Sequence, residues 1–263
     1  MITPQIITTI GRIPWLGRVL RWYVGQYPEN SVVEIGHGHA AGLLWRRHHR
    51  YVHGYWIGHY ELAIQEALKR ELKPGHTFFD IGAHAGFFTL IAARLVGMSG
   101  LCVAFEPLRE NGASIYEQIE LNSLCPCLVV SEAISDMVGS AFFSFSFAGS
   151  PGAHLGKPRK GEQQLPVKVT TVDGACARFG KPDFIKMDIE GAEAQALKGA
   201  AHTLRNLRPA WLIELHGSEC EREVKALLQE ACYAFFDLQG VALNPGRVLP
   251  HHFVARPSPT KEA

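Results

Sequence analysis

The sequence predicts an α/β domain in which strands alternate with helices around a mostly parallel sheet. Three stretches carry that expectation. Phe78-Phe79-Asp80-Ile81-Gly82-Ala83-His84-Ala85-Gly86-Phe87-Phe88-Thr89 passes from a short apolar strand through a glycine-spaced turn into the apolar helical segment Leu90 to Val96. Leu101-Cys102-Val103-Ala104-Phe105 is uniformly apolar, as a strand covered on both faces must be, and Glu106-Pro107 closes it. Pro182-Asp183-Phe184-Ile185-Lys186-Met187-Asp188-Ile189-Glu190-Gly191-Ala192-Glu193 repeats the strand-into-helix pattern, its acids falling at and beyond the strand's carboxyl end.

The remaining elements follow in order. Residues 14–24 predict a helix, Pro14 in its first turn and Trp15, Leu16, Val19, Leu20 and Tyr23 on one stripe; packing on the main domain is favoured over lying on a membrane surface. Residues 31–58 mix β-branched, aromatic and basic residues and read as strand or loop, with a basic run at Arg46-Arg47-His48-His49-Arg50. His49 and His53 are four apart, but Gly54, Tyr55 and Trp56 argue against a metal-binding helix there. Glu61 to Leu72 is an amphipathic helix leading through Lys73-Pro74-Gly75 into the first sheet strand. Arg109 to Asn122 is helical, and Cys127 to Val130 is a third strand with Ser131-Glu132-Ala133-Ile134 at its tip. Phe143, Phe145 and Phe147 alternate with serines and Leu165 to Val172 resumes strand character, so the pair reads as an inserted hairpin. Its connection, Gly149 to Gly161 with Lys157, Arg159 and Lys160, is either a substrate lid or an ordinary hairpin tip. Pro209 to His216 is a further strand whose period of two puts Glu214 and His216 on one face. Glu221 to Ala231 is a helix, Tyr233 to Leu238 a strand, and Asn244-Pro245-Gly246 turns into a last strand near His252-Phe253-Val254. Residues 1–58 form an N-terminal extension and residues 59–263 the principal domain.

Composition narrows the function. A chain of 263 residues with 47% hydrophobic content can bury one sizeable core. A net charge of +1 lacks the basic excess of a dedicated nucleic-acid binder. No uninterrupted apolar run approaches the ~18 residues that span a bilayer. The start Met1-Ile2-Thr3-Pro4-Gln5 lacks a basic leader, so a cytoplasmic protein is expected. Six scattered cysteines read as reduced thiols, Cys125 and Cys127 having no second pair to complete a zinc site.

The turn at 80–86 selects among nucleotide ligands. A dinucleotide loop needs G-x-G-x-x-G, yet here His84 stands where the second glycine would admit a pyrophosphate. Asp80 at the strand end would repel phosphates but suits an ammonium group, and Glu106 is placed to accept from ribose hydroxyls. A ribose joined to an amino acid describes S-adenosylmethionine better than NAD. The alternative is a tight strand–helix connection with Asp80 as a cap.

These blocks, with Ala104-Phe105-Glu106-Pro107 and Glu214-Leu215-His216, resemble the FkbM family of class I S-adenosylmethionine-dependent methyltransferases over roughly residues 59–256. His84 departs from the pattern, where similar proteins often carry Asn. The resemblance implies a Rossmann-like fold: a seven-stranded, mostly parallel sheet with an antiparallel last strand and helices on both faces. It also implies O-methylation of a hydroxyl on a sugar, glycolipid or polyketide-type natural product. The cofactor set it implies is Glu61, Asp80, Gly82, Ala83, His84, Gly86, Phe87, Thr89, Glu106, Pro107, Glu132, Ala133 and Asp188. In it Asp80 and Gly82 hold the methionine part, Glu106 the ribose, and the segment from Glu132 the adenine. The catalytic candidates are Asp188, His216 and Glu214, with His216 or Asp188 as the base. Asp188, Glu190, Glu214 and His216 either bind a divalent ion such as Mg²⁺ or, as favoured, form an ion-pair network with Lys186. A non-catalytic binding module lacks a need for these residues; an RNA or membrane-surface acceptor would have to use the Arg46–Arg50 segment. The expected partner is a small-molecule acceptor, and the oligomeric state is left open, a homodimer included.

Overall fold

The computed structural model describes residues 28–52, 54–124, 126–147, 149–150 and 152–259. The helix expected at 14–24, His53 and Cys125 lie outside them. The chain divides into two compact units, residues 1–62 and 63–263.

In the first unit, β1 (Val32–Glu34) pairs antiparallel with β2 (Leu44–Arg46), and one helical turn, α1 (Gly54–Ile57), follows where strand or loop was expected. Ile35, Trp45 and Tyr55 are buried, the two rings 5.5 Å apart. The basic run is only partly solvated: His49 and Arg50 are exposed, whereas Arg47 is withdrawn. Arg47 is 2% exposed with its guanidinium over the Trp56 ring, and His48 and His49 both lie beside Glu29. Arginine stacked on an aromatic ring packs as an apolar plane while keeping its charge.

The second unit opens with α2 (Leu62–Glu71) and is built on seven strands in the order β12-β13-β11-β10-β3-β4-β5. These are β3 (Thr77–Ile81), β4 (Leu101–Phe105), β5 (Cys127–Val130), β10 (Phe184–Met187), β11 (Ala210–Glu214), β12 (Tyr233–Phe236) and β13 (His252–Pro257). Neighbours pair in parallel except at β13, which runs antiparallel to both β11 and β12. This is the sheet the resemblance implies. The central strands are buried on both faces because helices cover both. One face (Phe79, Val103, Ile185, Trp211, Phe253) forms a single core with α5 (Val172–Phe179), α6 (Glu193–Lys198) and α7 (Ser218–Glu230). The alternate residues Phe78, Cys102, Phe184 and Leu212 are equally buried, and α3 (Phe87–Val96) packs on β3 and β4. Each such fully buried large side chain contributes ~1.5–3 kcal/mol. Helix α4 (Arg109–Asn122) has the bounds its sequence predicts.

The inserted segment is more than a hairpin. β7 (Gly139–Phe145) pairs antiparallel with β9 (Gln163–Thr170) as expected, but β6 (Glu132–Ile134) and β8 (His154–Leu155) complete a four-stranded sheet, β6-β9-β7-β8. The expected tip at 132–134 is therefore itself a strand. Its parallel partner lies more than thirty residues away, so no local pattern reveals it. Among the described residues no helix is long and apolar enough to cross a membrane, and Cys102, Cys127, Cys176, Cys220 and Cys232 are free thiols.

Candidate functional site

The chain runs from β3 to β4 and β5 on one side, then returns to β10 and β11 on the other. Strand order thus reverses between β3 and β10, and the crevice beyond their carboxyl ends is where an open α/β sheet binds its ligand. Asp80 and Asp188 stand on either side of it.

On the β3 side, Asp80 is 1% exposed. Its Oδ2 accepts from Thr89 Oγ1 at 2.6 Å, while Oδ1 has no hydrogen-bond donor and lies 3.8 Å from the Lys186 ammonium. The turn that follows is pinned by Gly82 N and Ala83 N, both donating to Phe105 O at the end of β4. Gly82 has φ +82°, and a side chain there would come 1.9 Å from the Asp188 carbonyl. The glycine serves the close packing of two strand ends, a constraint the sequence reading, divided between a cofactor turn and a tight strand–helix connection, did not contain. Gly86, at φ +85°, opens α3, where Phe87 is buried against Phe88, and Ala83 packs with Ala104 and Ile115. His84 adopts φ +51°, which turns its N–H onto Glu106 Oε2 at 2.9 Å and its Nε2 to within 3.2 Å of Gly149 O.

Glu106 is 5% exposed and accepts two further bonds at Oε1, from Leu108 N at 3.0 Å and Asn111 Nδ2 at 3.2 Å. Burial pushes its carboxyl up to about 7 against those three donors. Pro107 and Glu132 line a cleft along the β5 edge, where Glu132 forms an ion pair with Arg178 at 2.5 Å. Ala133 points into the small core of Leu108, Phe143, Val167 and Val169. Glu61 belongs to the other unit, just ahead of α2 at φ +42°.

Beyond β10, Lys186 is 2% exposed, 3.6 Å from Asp188 and 5.2 Å from the centre of the Phe88 ring. The register aligns Lys186 with Asp80 and Leu212, so the ammonium sits between the strand-end acids. His216 gathers the rest. Its Nδ1 is 2.9 Å from Glu193 Oε1, and its Nε2 lies 3.4, 3.6 and 4.0 Å from Glu190, Glu214 and Asp188. Glu193 is fully buried and also accepts from Gly191 N, Ile189 N and the Cys220 thiol. Burial alone would lower the His216 imidazole, but the Glu193 bond and the charges of Glu193, Glu190 and Asp188 raise it to about 9. Burial would also raise Glu214, yet the bond and charge of His252, with Lys186 and His216, bring it down to about 2. Asp188, its side chain 27% exposed, is pushed up to about 7 by burial, with Glu214 and Glu190 adding and Lys186 opposing.

His216, expected either as the base or within an ion-pair network with Lys186, has carboxylates at both ring nitrogens. Asp80, expected to meet an ammonium of the ligand, has the Lys186 ammonium 3.8 Å from its Oδ1. Sequence reasoning also missed His251 and His252. Glu214 pairs directly with His252 across β11 and β13, its Oε2 2.9 Å from His252 Nε2, and its Oε1 is 3.5 Å from His251 Nδ1. The signal was present but inverted. In an antiparallel last strand the first residues, not the last, reach the ligand edge.

The connection from β7 to β9 also arrives at this edge. Gly152 N donates to Glu190 Oε1 at 3.1 Å, and Gly149 O meets His84. Within the connection, Ser144 Oγ and Gln164 Nε2 both donate to Gly156 O, and Arg159 N donates to Glu162.

Comparison with known proteins finds several chains to which this one is similar. A hexuronic acid methyltransferase (AglP) of Haloferax volcanii is 24% identical over 177 residues, covering 65% of this chain and 69% of that protein. A solved FkbM methyltransferase from Methylobacillus flagellatus aligns with 79% of this chain and 56% of its own, at 17% identity and a TM-score of 0.49. A SAM-dependent O-methyltransferase from Thermotoga maritima aligns with 94% of this chain and 83% of its own, at 12% identity and a TM-score of 0.47. The family described as "Methyltransferase FkbM domain" matches residues 80–237, from the acid that ends β3 to just past β12, which is more than half of the chain. The chain belongs to the FkbM methyltransferase domain family.

Proposed function

We propose that this chain transfers the methyl group of S-adenosylmethionine to a hydroxyl of a sugar, glycolipid or polyketide-type acceptor. The observation that carries the proposal is the meeting, at one strand-order reversal, of Asp80 and Glu106 with the Asp188–His216 pair. The cofactor fits the residues present. Asp80 Oδ1 is a buried acceptor that takes no hydrogen bond, with the Lys186 ammonium 3.8 Å away, so it keeps the capacity to accept one from an ammonium of the ligand. Glu106 uses three of the roughly four acceptor positions a carboxylate offers, leaving room for a ribose hydroxyl. When bound, the cofactor supplies a methyl group already activated by a sulfonium charge, so the protein's work is positioning and removal of one proton.

Asp188 takes that proton. Its carboxylate is partly exposed at the edge, whereas both nitrogens of His216 face acids. His216 positions Asp188 and Glu190, and its charge offsets their mutual repulsion. Glu214 holds His216 from the neighbouring strand. The connection between β7 and β9, joined to His84 and Glu190, supports an acceptor site beneath it. A carbohydrate acceptor also accords with the sugar-acid methyltransferase among the relatives. Within the basic segment of the first unit, Arg47 stacks on Trp56 and His48 and His49 lie beside Glu29, which weighs against a nucleic-acid acceptor.

The test is transfer of labelled methyl from S-adenosylmethionine to a panel of glycosides and uronic acid glycosides. Asp188→Asn should lower kcat by ~10²–10⁴ while S-adenosylhomocysteine binds as before. Unchanged turnover in that variant would remove Asp188 from the base role.

A further inference from the structure

We propose that Glu214, His251 and His252 form a binding site for a divalent transition-metal ion. The three are placed by the sheet. Glu214 and His252 are direct partners across the antiparallel β11·β13 pair, and Leu215 N donates to His251 O at 2.8 Å, extending the ladder to the neighbouring histidine. Strands β11 and β13 thus hold Glu214 and His252 at this edge, with His251 in the bend immediately before β13; strands are a more exact scaffold than loops.

The geometry matches a metal's first ligands. One donor atom from each residue lies within 4.8 Å of the other two. The Glu214 carboxylate approaches His252 Nε2 at 2.9 Å and His251 Nδ1 at 3.5 Å. Tetrahedral ligands ~2.0–2.2 Å from a metal stand roughly 3.3–3.6 Å from one another, so modest side-chain shifts close the site. The less exposed members, Glu214 and His252, form its floor, with side chains 14% and 21% exposed. His251, 57% exposed, forms the solvent-facing wall through which an ion enters.

A second observation is the neighbourhood: Glu214 also lies 3.6 Å from His216, whose Nε2 faces Glu190 and Asp188, so the site adjoins further carboxyl groups whose company favours a dication. Two imidazoles and one carboxylate favour Zn²⁺, Co²⁺ or Fe²⁺ over Mg²⁺, which prefers oxygen. This site differs from the oxygen-rich cluster that the sequence suggested for Mg²⁺. It also lies partly outside the family match, which ends at residue 237, before both histidines. It does not depend on the methyltransferase proposal.

The test uses the full chain, freed of metal by a chelator and without an affinity tag. Co²⁺ is added while its visible absorption is followed, with parallel calorimetric titrations of Zn²⁺ and Mg²⁺. The expected result is one equivalent of Co²⁺ with d–d bands of low coordination number, displaced by Zn²⁺ and untouched by Mg²⁺. His251→Asn, at the exposed ligand, keeps the fold and weakens Co²⁺ at least ~100-fold, a ligand costing no less than the 10–100-fold of its outer-shell partners. His252→Asn abolishes the bands. The proposal is overturned if wild-type protein takes up no stoichiometric Co²⁺ or Zn²⁺, or if His251→Asn binds them equally well. S-adenosylhomocysteine binding, measured on the same samples, reports separately on the methyltransferase site.

Discussion

Replacing Gly82 by alanine should cost far more than its one added carbon suggests. The residue sits at φ +82°, where an L-side chain costs ~1–2 kcal/mol. The new Cβ would stand 1.9 Å from the Asp188 carbonyl, whereas ordinary contact begins near 3.4 Å, so the two strand ends must separate by 3.4 − 1.9 = 1.5 Å. Asp188 N donates to Ile81 O at 3.0 Å across the same junction, and that opening stretches the bond to about 4.5 Å, beyond hydrogen-bonding range. Its loss adds about 1 kcal/mol. The sum is ~2–3 kcal/mol of stability, read from urea unfolding midpoints at constant slope. Gly42→Ala is the control: its φ is likewise +82°, but nothing lies within 4 Å of the added carbon, so it carries the backbone cost alone. The same Gly82 variant should weaken S-adenosylhomocysteine, because the displaced turn carries Asp80 and the His84–Glu106 bond. Equal destabilisation in the two variants would refute the claim that Gly82 is set by the Asp188 carbonyl.

Two further outcomes follow from the buried acids. Glu106 has a folded value raised to about 7 from 4.5, so its contribution to stability is full below the unfolded value and is lost as pH rises through the folded one. That difference is worth about 3 kcal/mol. Ligand-free protein should therefore lose up to this much stability between about pH 5 and about pH 8, and the loss should shrink in Glu106→Gln; identical pH slopes would contradict the assignment. At the fully buried Glu193, which accepts from His216, Cys220 and two backbone N–H groups, Ala should cost ~3–5 kcal/mol because these donors lose their acceptor together. Gln, which keeps an acceptor, should cost ~1–3 kcal/mol by thermal unfolding, and equal losses would count against the ion pair.

Much of this molecule is legible locally. The blocks at 78–96, 101–105 and 184–198 announce themselves because apolar period and glycine placement act over a few residues, and α4 and β5 fall where the pattern puts them. What stayed hidden depends on distant partners. The four-stranded sheet needs β6 to find β9, and the role of Gly82 becomes visible only once Asp188, more than a hundred residues away, is beside it. Likewise, His216 reads as an ordinary base until Glu190, Glu193 and Glu214 surround it. His251 and His252 escape notice because only the antiparallel course of β13 carries them to the ligand edge.

The central claim is that Asp80 and Glu106 form the heart of an S-adenosylmethionine site. Calorimetric titration with S-adenosylhomocysteine tests it most directly. Wild-type protein should bind one equivalent, and the Asp80→Ala, Glu106→Ala double variant, shown folded by circular dichroism, should bind none. Undiminished binding by that variant, or no binding by folded wild-type protein, would contradict the account.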